Sequence, residues 1–445
     1  LMMTKKTLYL VHCIDTEGPL TEGLDATFER IKNTFNIKLK PSKSNLKKIQ
    51  QKRLNLNGYE EAVYNMVRPD KISYNNNWKQ IKKMLDDCCS KNFKKKFKDS
   101  YNKPWVYNWF CVDHIDYDYN PRGRILGYHK IFDFYQKYLK KKKIKDDKIF
   151  FHYHPHPIKK HAHLEATRWL GSNDKLFQIL CRRIIDRQWF PAVSRPGFNV
   201  TRPDSHWFME QFIPFDYASL SYEVSDVEKK QFDFSNGRSG DWRRAPMSWE
   251  PYHPSYEDYQ LIGNSKRWIA RCLYINSRAY EINEKEIERA FKEVKKGKKV
   301  ILSFSSHDYR DVRLDVKKVY QLLNKVKHKY SDVKIKNCDA LEAFRKVIGK
   351  RNYKKLKINA KLKKINANTH LLKIYSNVKI FGPQPFFAIK TKKGEYFYDN
   401  LDLQKPGREW SYTFDNTTLE KKTIKNIGIA ANSNYGDMSV LNINI

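Results

Sequence analysis

Five of the chain's 13 histidines, His152, His154, His156, His161 and His163, fall within twelve residues. Pro155 and Pro157 exclude a helix there, and in extended backbone residues two apart share a face, so His152, His154 and His156 can turn toward one point. Neutral imidazole is the commonest metal ligand, and two imidazoles with one carboxylate leave coordination positions open for water. Carboxylates come from the segment His12-Cys13-Ile14-Asp15-Thr16-Glu17-Gly18-Pro19, where Asp15 and Glu17 stand just before a Gly-Pro turn. Arg195, in Ser194-Arg195-Pro196-Gly197-Phe198, adds a cation, and His307 closes the run that starts at Ile301. Asp113 and His114 follow another apolar run and can enter the same site. Each feature alone has a plain reading as a solvated loop, a surface ion pair or a core histidine. Together they make the parts for metal-assisted hydrolysis.

Such groups need a scaffold that gathers them, and the hydrophobic pattern supplies one. Apolar runs read as strands over 7–14, 105–112, 148–154, 189–194, 216–221, 268–275, 300–304 and 333–336. Between them, apolar residues recur at helical spacing over 77–99, 127–140, 175–187, 205–212, 284–295, 312–327 and 339–347. Strands alternating with helices predict an α/β fold with a parallel sheet, open or closed into a barrel. In either arrangement reacting groups collect at the carboxyl ends of the strands, where the histidines, Asp15, Glu17 and Arg195 stand. Residues 20–75 form a polar insertion. A Lys/Arg-rich run over 349–368 is expected to be a basic linker, separating a domain of residues 1–348 from a small all-β module, a sandwich, over 369–445.

The chain has 445 residues, 40% of them hydrophobic, without an apolar stretch long enough to read as a membrane span. The seven cysteines form no CxxC pair, which argues against a disulfide framework or a structural zinc site. Residues 1–6 lead into the first strand without a secretory pattern, so the expected setting is cytoplasmic. Lys and Arg number 86 against 49 Asp and Glu, a formal net charge of +37. That excess reads either as a solvated basic surface or as a face for an anionic substrate or membrane.

The succession Asp15-Thr16-Glu17-Gly18, His152-x-x-x-His156, Arg195-Pro196-Gly197-Phe198, Asp241-Trp242 and Ile301 through His307 resembles the five motifs of the polysaccharide deacetylase superfamily. The resemblance covers roughly residues 5–348. It implies a distorted (β/α) barrel holding a divalent metal, most often zinc and sometimes cobalt or manganese. By the same resemblance Asp15 is the general base, Glu17, His152 and His156 are the metal ligands, Arg195 orients the base and His307 is the general acid. Trp242, with Trp249 as its rival, is the implied aromatic wall of the substrate site; apart from the resemblance, Phe198, His154, Asp113 and His114 are expected as further substrate contacts. The chain departs from the commonest pattern by offering Glu17 where an aspartate usually ligates, one residue further from the base.

The implied activity is removal of an N-acetyl or N-formyl group from an amino sugar of a surface glycan or its lipid- or nucleotide-linked precursor. Work at the inner membrane face would add peripheral contact with anionic lipid, and nucleic acid is not the expected partner. The competing reading is a catalytically inert basic protein that uses the same barrel, with Lys140–Lys145 and Lys350–Lys364, to hold nucleic acid, anionic membrane or glycan.

Overall fold

A computed structural model describes residues 6–154, 157–162, 175–223, 240–277, 280–349 and 354–445. The buried runs form eight parallel strands: β1 (Thr7–Thr16), β2 (Tyr107–Cys111), β3 (Lys148–Tyr153), β4 (Val193–Pro196), β5 (Phe215–Ser219), β6 (Trp268–Tyr274), β7 (Ile301–His307) and β8 (Lys334–Asn337). Strand β1 closes the ring. One edge pairs with β7 from Tyr9↔Ile301 to Asp15↔His307. The other edge is shared, Thr7–Leu10 pairing with β8 and His12–Thr16 with β2. Seven strands therefore close into an α/β barrel, and β8 fills the gap at its amino-terminal end.

Helices surround the barrel: α4 (Trp78–Cys88), α5 (Lys91–Lys95), α6 (Lys130–Lys141), α7 (Lys175–Arg187), α8 (Pro203–Phe212), α9 (Glu284–Lys295), α10 (Val312–Lys327) and α11 (Ala340–Ile348). Their starts are locally encoded. Asn77, Asn283, Asp311 and Asp339 each accept a first-turn backbone N–H on the side chain. In α9 the buried Ile287, Ala290, Phe291 and Val294 fall on one stripe at helical spacing. The insertion carries α1 (Leu24–Phe35), α2 (Lys43–Gln50) and α3 (Glu60–Val67), which share a separate small core including Phe28, Ile31, Phe35, Ile49 and Val63.

The carboxyl-terminal module is two antiparallel four-stranded sheets: β9 (Ile358–Lys364), β10 (His370–Ser376), β13 (Asp402–Lys405) and β14 (Glu409–Phe414) in one; β11 (Phe386–Thr391), β12 (Tyr396–Asp399), β15 (Ile424–Asn432) and β16 (Met438–Asn444) in the other. It begins earlier than the sequence pattern suggests. Residues 358–364, expected as linker, are strand β9, paired with β10 from Ser376↔Ile358 to His370↔Lys364. The alternation Ile358, Ala360, Leu362 faces inward while Lys361 and Lys363 stay exposed, so the lysines mask a period-two strand. Nor is the module detached, because Phe386, Ala388, Tyr396 and Ala430 share a core cluster with Ile179, Leu180 and Ile184 of α7 and Phe208 and Phe212 of α8. Among the described residues no helix is long and apolar enough to cross a membrane.

Candidate active site

Because the barrel strands are parallel, their carboxyl ends meet at one mouth, and the register of β1 with β7 sets Asp15 directly beside His307. Asp15 is held by Arg195, whose Nε donates to Oδ1 at 2.7 Å. The same guanidinium donates to Tyr217 O, Asn199 Oδ1 and Ser305 Oγ, so its orientation is fully determined. Burial alone would raise the Asp15 carboxyl, but Arg195, then His152 and His307, outweigh it and hold the group at about 2. Asp15 is a carboxylate at every ordinary pH. Its Oδ2 faces His307 Nε2 at 3.8 Å.

His152, next to the last residue of β3, has Nδ1 2.7 Å from the Arg195 carbonyl oxygen. A carbonyl can only accept, so Nδ1 carries the proton and Nε2 presents its lone pair. That Nε2 lies 3.0 Å from His154 Nε2 and 3.9 Å from Glu17 Oε1, while His154 Nε2 is 3.3 Å from the same oxygen. Among the described residues, Glu17, His152 and His154 have ligand atoms all within 4.8 Å of one another. The donor set fits a divalent cation: two nitrogens and one oxygen converge, and a carbonyl fixes the His152 tautomer as is usual for ligating imidazoles. Burial keeps His152 neutral by lowering its pKa to about 3.

Two residues that the motifs do not single out position Glu17. Arg124 Nη1 binds Oε2, leaving Oε1 for the imidazoles. Asp308, next to His307, accepts the backbone N–H groups of Glu17 (2.8 Å) and Gly18 (3.0 Å) and the Tyr135 hydroxyl (2.8 Å). Burial raises the Asp308 carboxyl to about 7 against these bonds. Gly18 sits at φ +74°, a conformation that suits glycine and lets the chain turn immediately after Glu17. The sequence signal for Arg124 is only its closeness to the end of β2. For Asp308 it is adjacency to His307.

Of the expected site residues, Asp15, Glu17, His152, Arg195 and His307 come together as the spacing suggests. His154, expected to touch substrate, lies instead with Glu17 and His152. His156, the expected second histidine ligand, lies outside the described residues. Phe198, at φ 52°, packs its ring edge-on to His154, as does His114, with centroids 5.0 and 5.6 Å away. Asp113 is not brought into the cluster: its carboxylate is taken up by Arg183 Nη2 (3.1 Å) and the His129 backbone N–H (2.5 Å). Trp242 is buried behind Asn199, donating Nε1–H to the Asn199 carbonyl at 2.9 Å. His307 keeps about a quarter of its side chain exposed, 23%. Burial first, then Arg310, Arg124 and Arg195 against the pull of Asp15, hold its imidazole well below the usual range, so it is neutral at rest. Comparison of the chain with protein-family models, curated proteins and solved structures returned no match.

Proposed function

We propose that the protein is a metal-dependent amide hydrolase that removes an N-acetyl or N-formyl group from an amino sugar, on a barrel of the polysaccharide deacetylase type. The observation that carries this reading is the meeting of Asp15–Arg195, His307 and the Glu17–His152–His154 group at one barrel mouth. Glu17, His152 and His154 would hold the ion, zinc by its ligand preference, with cobalt or manganese as alternatives. When bound, a divalent cation supplies Lewis acidity, lowering the pKa of water and polarising a carbonyl oxygen. The rest falls to the chain's own groups. Arg195 fixes Oδ1 of Asp15, which leaves Oδ2 to accept a proton from the attacking water. Neutral His307, facing Oδ2, can receive that proton on Nε2 and deliver it to the departing amine, so the proton count closes without an outside acid. Phe198 and His114 border the His154 ring and wall the site on that side.

The test is release of acetate or formate from a panel of N-acylated amino sugars, free and linked to lipid or nucleotide. Zinc-loaded protein is expected to turn over at least one. Asp15→Asn and His307→Ala should stay folded and metal-bound yet lose about 10²-fold or more in rate, the scale of general acid–base loss. Equal rates for wild type and Asp15→Asn remove the assigned base. A metal-loaded wild type inert on the whole panel shifts the reading to a basic binding protein.

A further inference from the structure

The two sheets of the carboxyl-terminal module have unlike outer faces. The sheet β12-β11-β15-β16 lies on the barrel, with Phe386, Ala388, Tyr396 and Ala430 against α7 and α8. The sheet β13-β14-β10-β9 turns Ile358, Leu372, Ile374, Trp410 and Phe414 inward to the module's own core, so its outer face points away from the barrel. Lysines dominate that face. Strand alternation exposes Lys361 and Lys363 on β9 and Lys373 on β10, and the backbone pairing of Asn377 with Lys357 extends the row to Lys357. Register sets Lys373 directly opposite Lys361, and like charges facing each other across strands about 5 Å apart destabilise a sheet. Among the described residues none of the four lysines forms an ion pair with a carboxylate. The acids of this sheet, Asp402 and Glu409, stand on β13 and β14, across β10 from the β9 lysines. Protection of an edge accounts for lysines on β9, the last strand, but not for Lys373 on an interior strand. A covering layer of anions would relieve the repulsion. The residues among the lysines select which polyanion fits. Leu371 and Tyr375, half-buried, share the face with Lys373, and Ile365, 51% exposed, stands at the β9–β10 turn. None of the four strands contains an arginine, and Tyr375 is the one ring on the face, so it offers little for reading or stacking bases. Lysine point charges spread over two strands with apolar residues among them suit a plane of anionic headgroups, where lysine stems and a tyrosine sit at the boundary of water and acyl chains.

We propose that the outer face of the sheet β13-β14-β10-β9, through Lys357, Lys361, Lys363 and Lys373, docks the protein on an anionic lipid surface. The inference uses no residue of the barrel mouth and stands whether or not the deacylase reading does.

The full-length protein is sedimented with vesicles of phosphatidylcholine and with vesicles of an equal mixture of phosphatidylcholine and phosphatidylglycerol. Binding is expected to the mixed vesicles and to weaken as salt rises. Lys373→Gln should lower the affinity about fivefold, and Lys361→Gln, Lys363→Gln and Lys373→Gln together about 10²-fold, the effect of one and of three basic residues at such a surface. Removing the same charge elsewhere, with Lys140→Gln, Lys141→Gln and Lys143→Gln around the end of α6, should leave binding near the wild-type value, because charges beyond a screening length of the bilayer contribute little. Should the sheet triple variant fail to fold, Lys373→Gln alone carries the test. Absence of binding to the mixed vesicles at low salt, equal binding to the neutral ones, or equal loss in the two triple variants overturns the docking face. So does unchanged affinity in the folded sheet variant. Retention of single-stranded DNA in place of the mixed vesicles, lost in the same variant, also overturns it and makes nucleic acid the occupant.

Discussion

Gly197 has no side chain for a reason visible in its surroundings: a Cβ added there would stand 2.5 Å from Cδ2 and 2.8 Å from Nε2 of His154. The His154 ring already has Phe198 on one side and His152 on another, so it can only leave its place. Gly197→Ala should therefore weaken zinc binding by about 10- to 100-fold, the cost typical of disturbing a ligand's support, measured by competition with a chelator. His154→Ala should lose more. Unchanged zinc affinity in a folded Gly197→Ala protein would falsify His154 as a ligand. In extended backbone His152, His154 and His156 share one face, which leaves the choice of pair open, and the motif resemblance favours His156. The choice turns on the position of Glu17, which reaches His154 because Asp308 and Arg124 hold the turn from across the chain.

Strand β1 is the element on which the barrel closes, and His12 ties it sideways. Trp105 Nε1 donates to His12 Nδ1 at 3.1 Å, so the neutral ring carries its proton on Nε2, which reaches Ser306 Oγ at 2.8 Å. Burial lowers the His12 pKa to about 3. Unfolded, the ring takes a proton near its usual 6.5, so between about 6.5 and 3 the unfolded chain binds a proton that the native chain refuses. Stability from this source falls as pH drops through that window, by at most about 1.4 kcal/mol per pH unit. Denaturant unfolding of His12→Asn from pH 7.5 to 5 should give a shallower slope than wild type, and identical slopes would remove His12 as the cause. Elements set by local pattern were legible in the sequence. The spacing predicts helices over 175–187, 284–295 and 312–327, and those are the bounds of α7, α9 and α10. Long-range pairings were not, because nothing in the run 7–16 says that one edge will serve both β2 and β8. Lysines hide β9, and a polar composition hides α2 and α3 of the insertion, whereas the amphipathic stretch around Phe28–Phe35 marks α1.

At the scale of the molecule, the basic run over 349–368 reads in sequence as a hinge between separable parts, while the packing joins them. Helix α7 presents Arg183 to Asp113 and Ile179, Leu180 and Ile184 to the cluster it shares with Phe386, Tyr396 and Ala430. Phe177 stacks on Tyr398 with centroids 4.4 Å apart, and Asn432 donates to the carbonyls of Pro191 and Phe212 at 2.7 and 2.9 Å. A Cβ at Gly428 would meet Ile184 at 2.6 Å, so strand and helix lie in close contact. Removing residues 350–445 bares this face. Each large apolar side chain re-exposed costs about 1.5–3 kcal/mol, and a domain's whole margin is about 5–15 kcal/mol, so losing a handful of such contacts uses most of it. The effect should reach the site, since α7 anchors Asp113 through Arg183, and the neighbouring His114 borders His154. A chain ending at Gly349 is expected to aggregate on gel filtration, to melt well below the full protein and to bind zinc more weakly. A monomeric product with the full-length melting temperature and metal content would restore the hinge and make the sandwich an independent passenger.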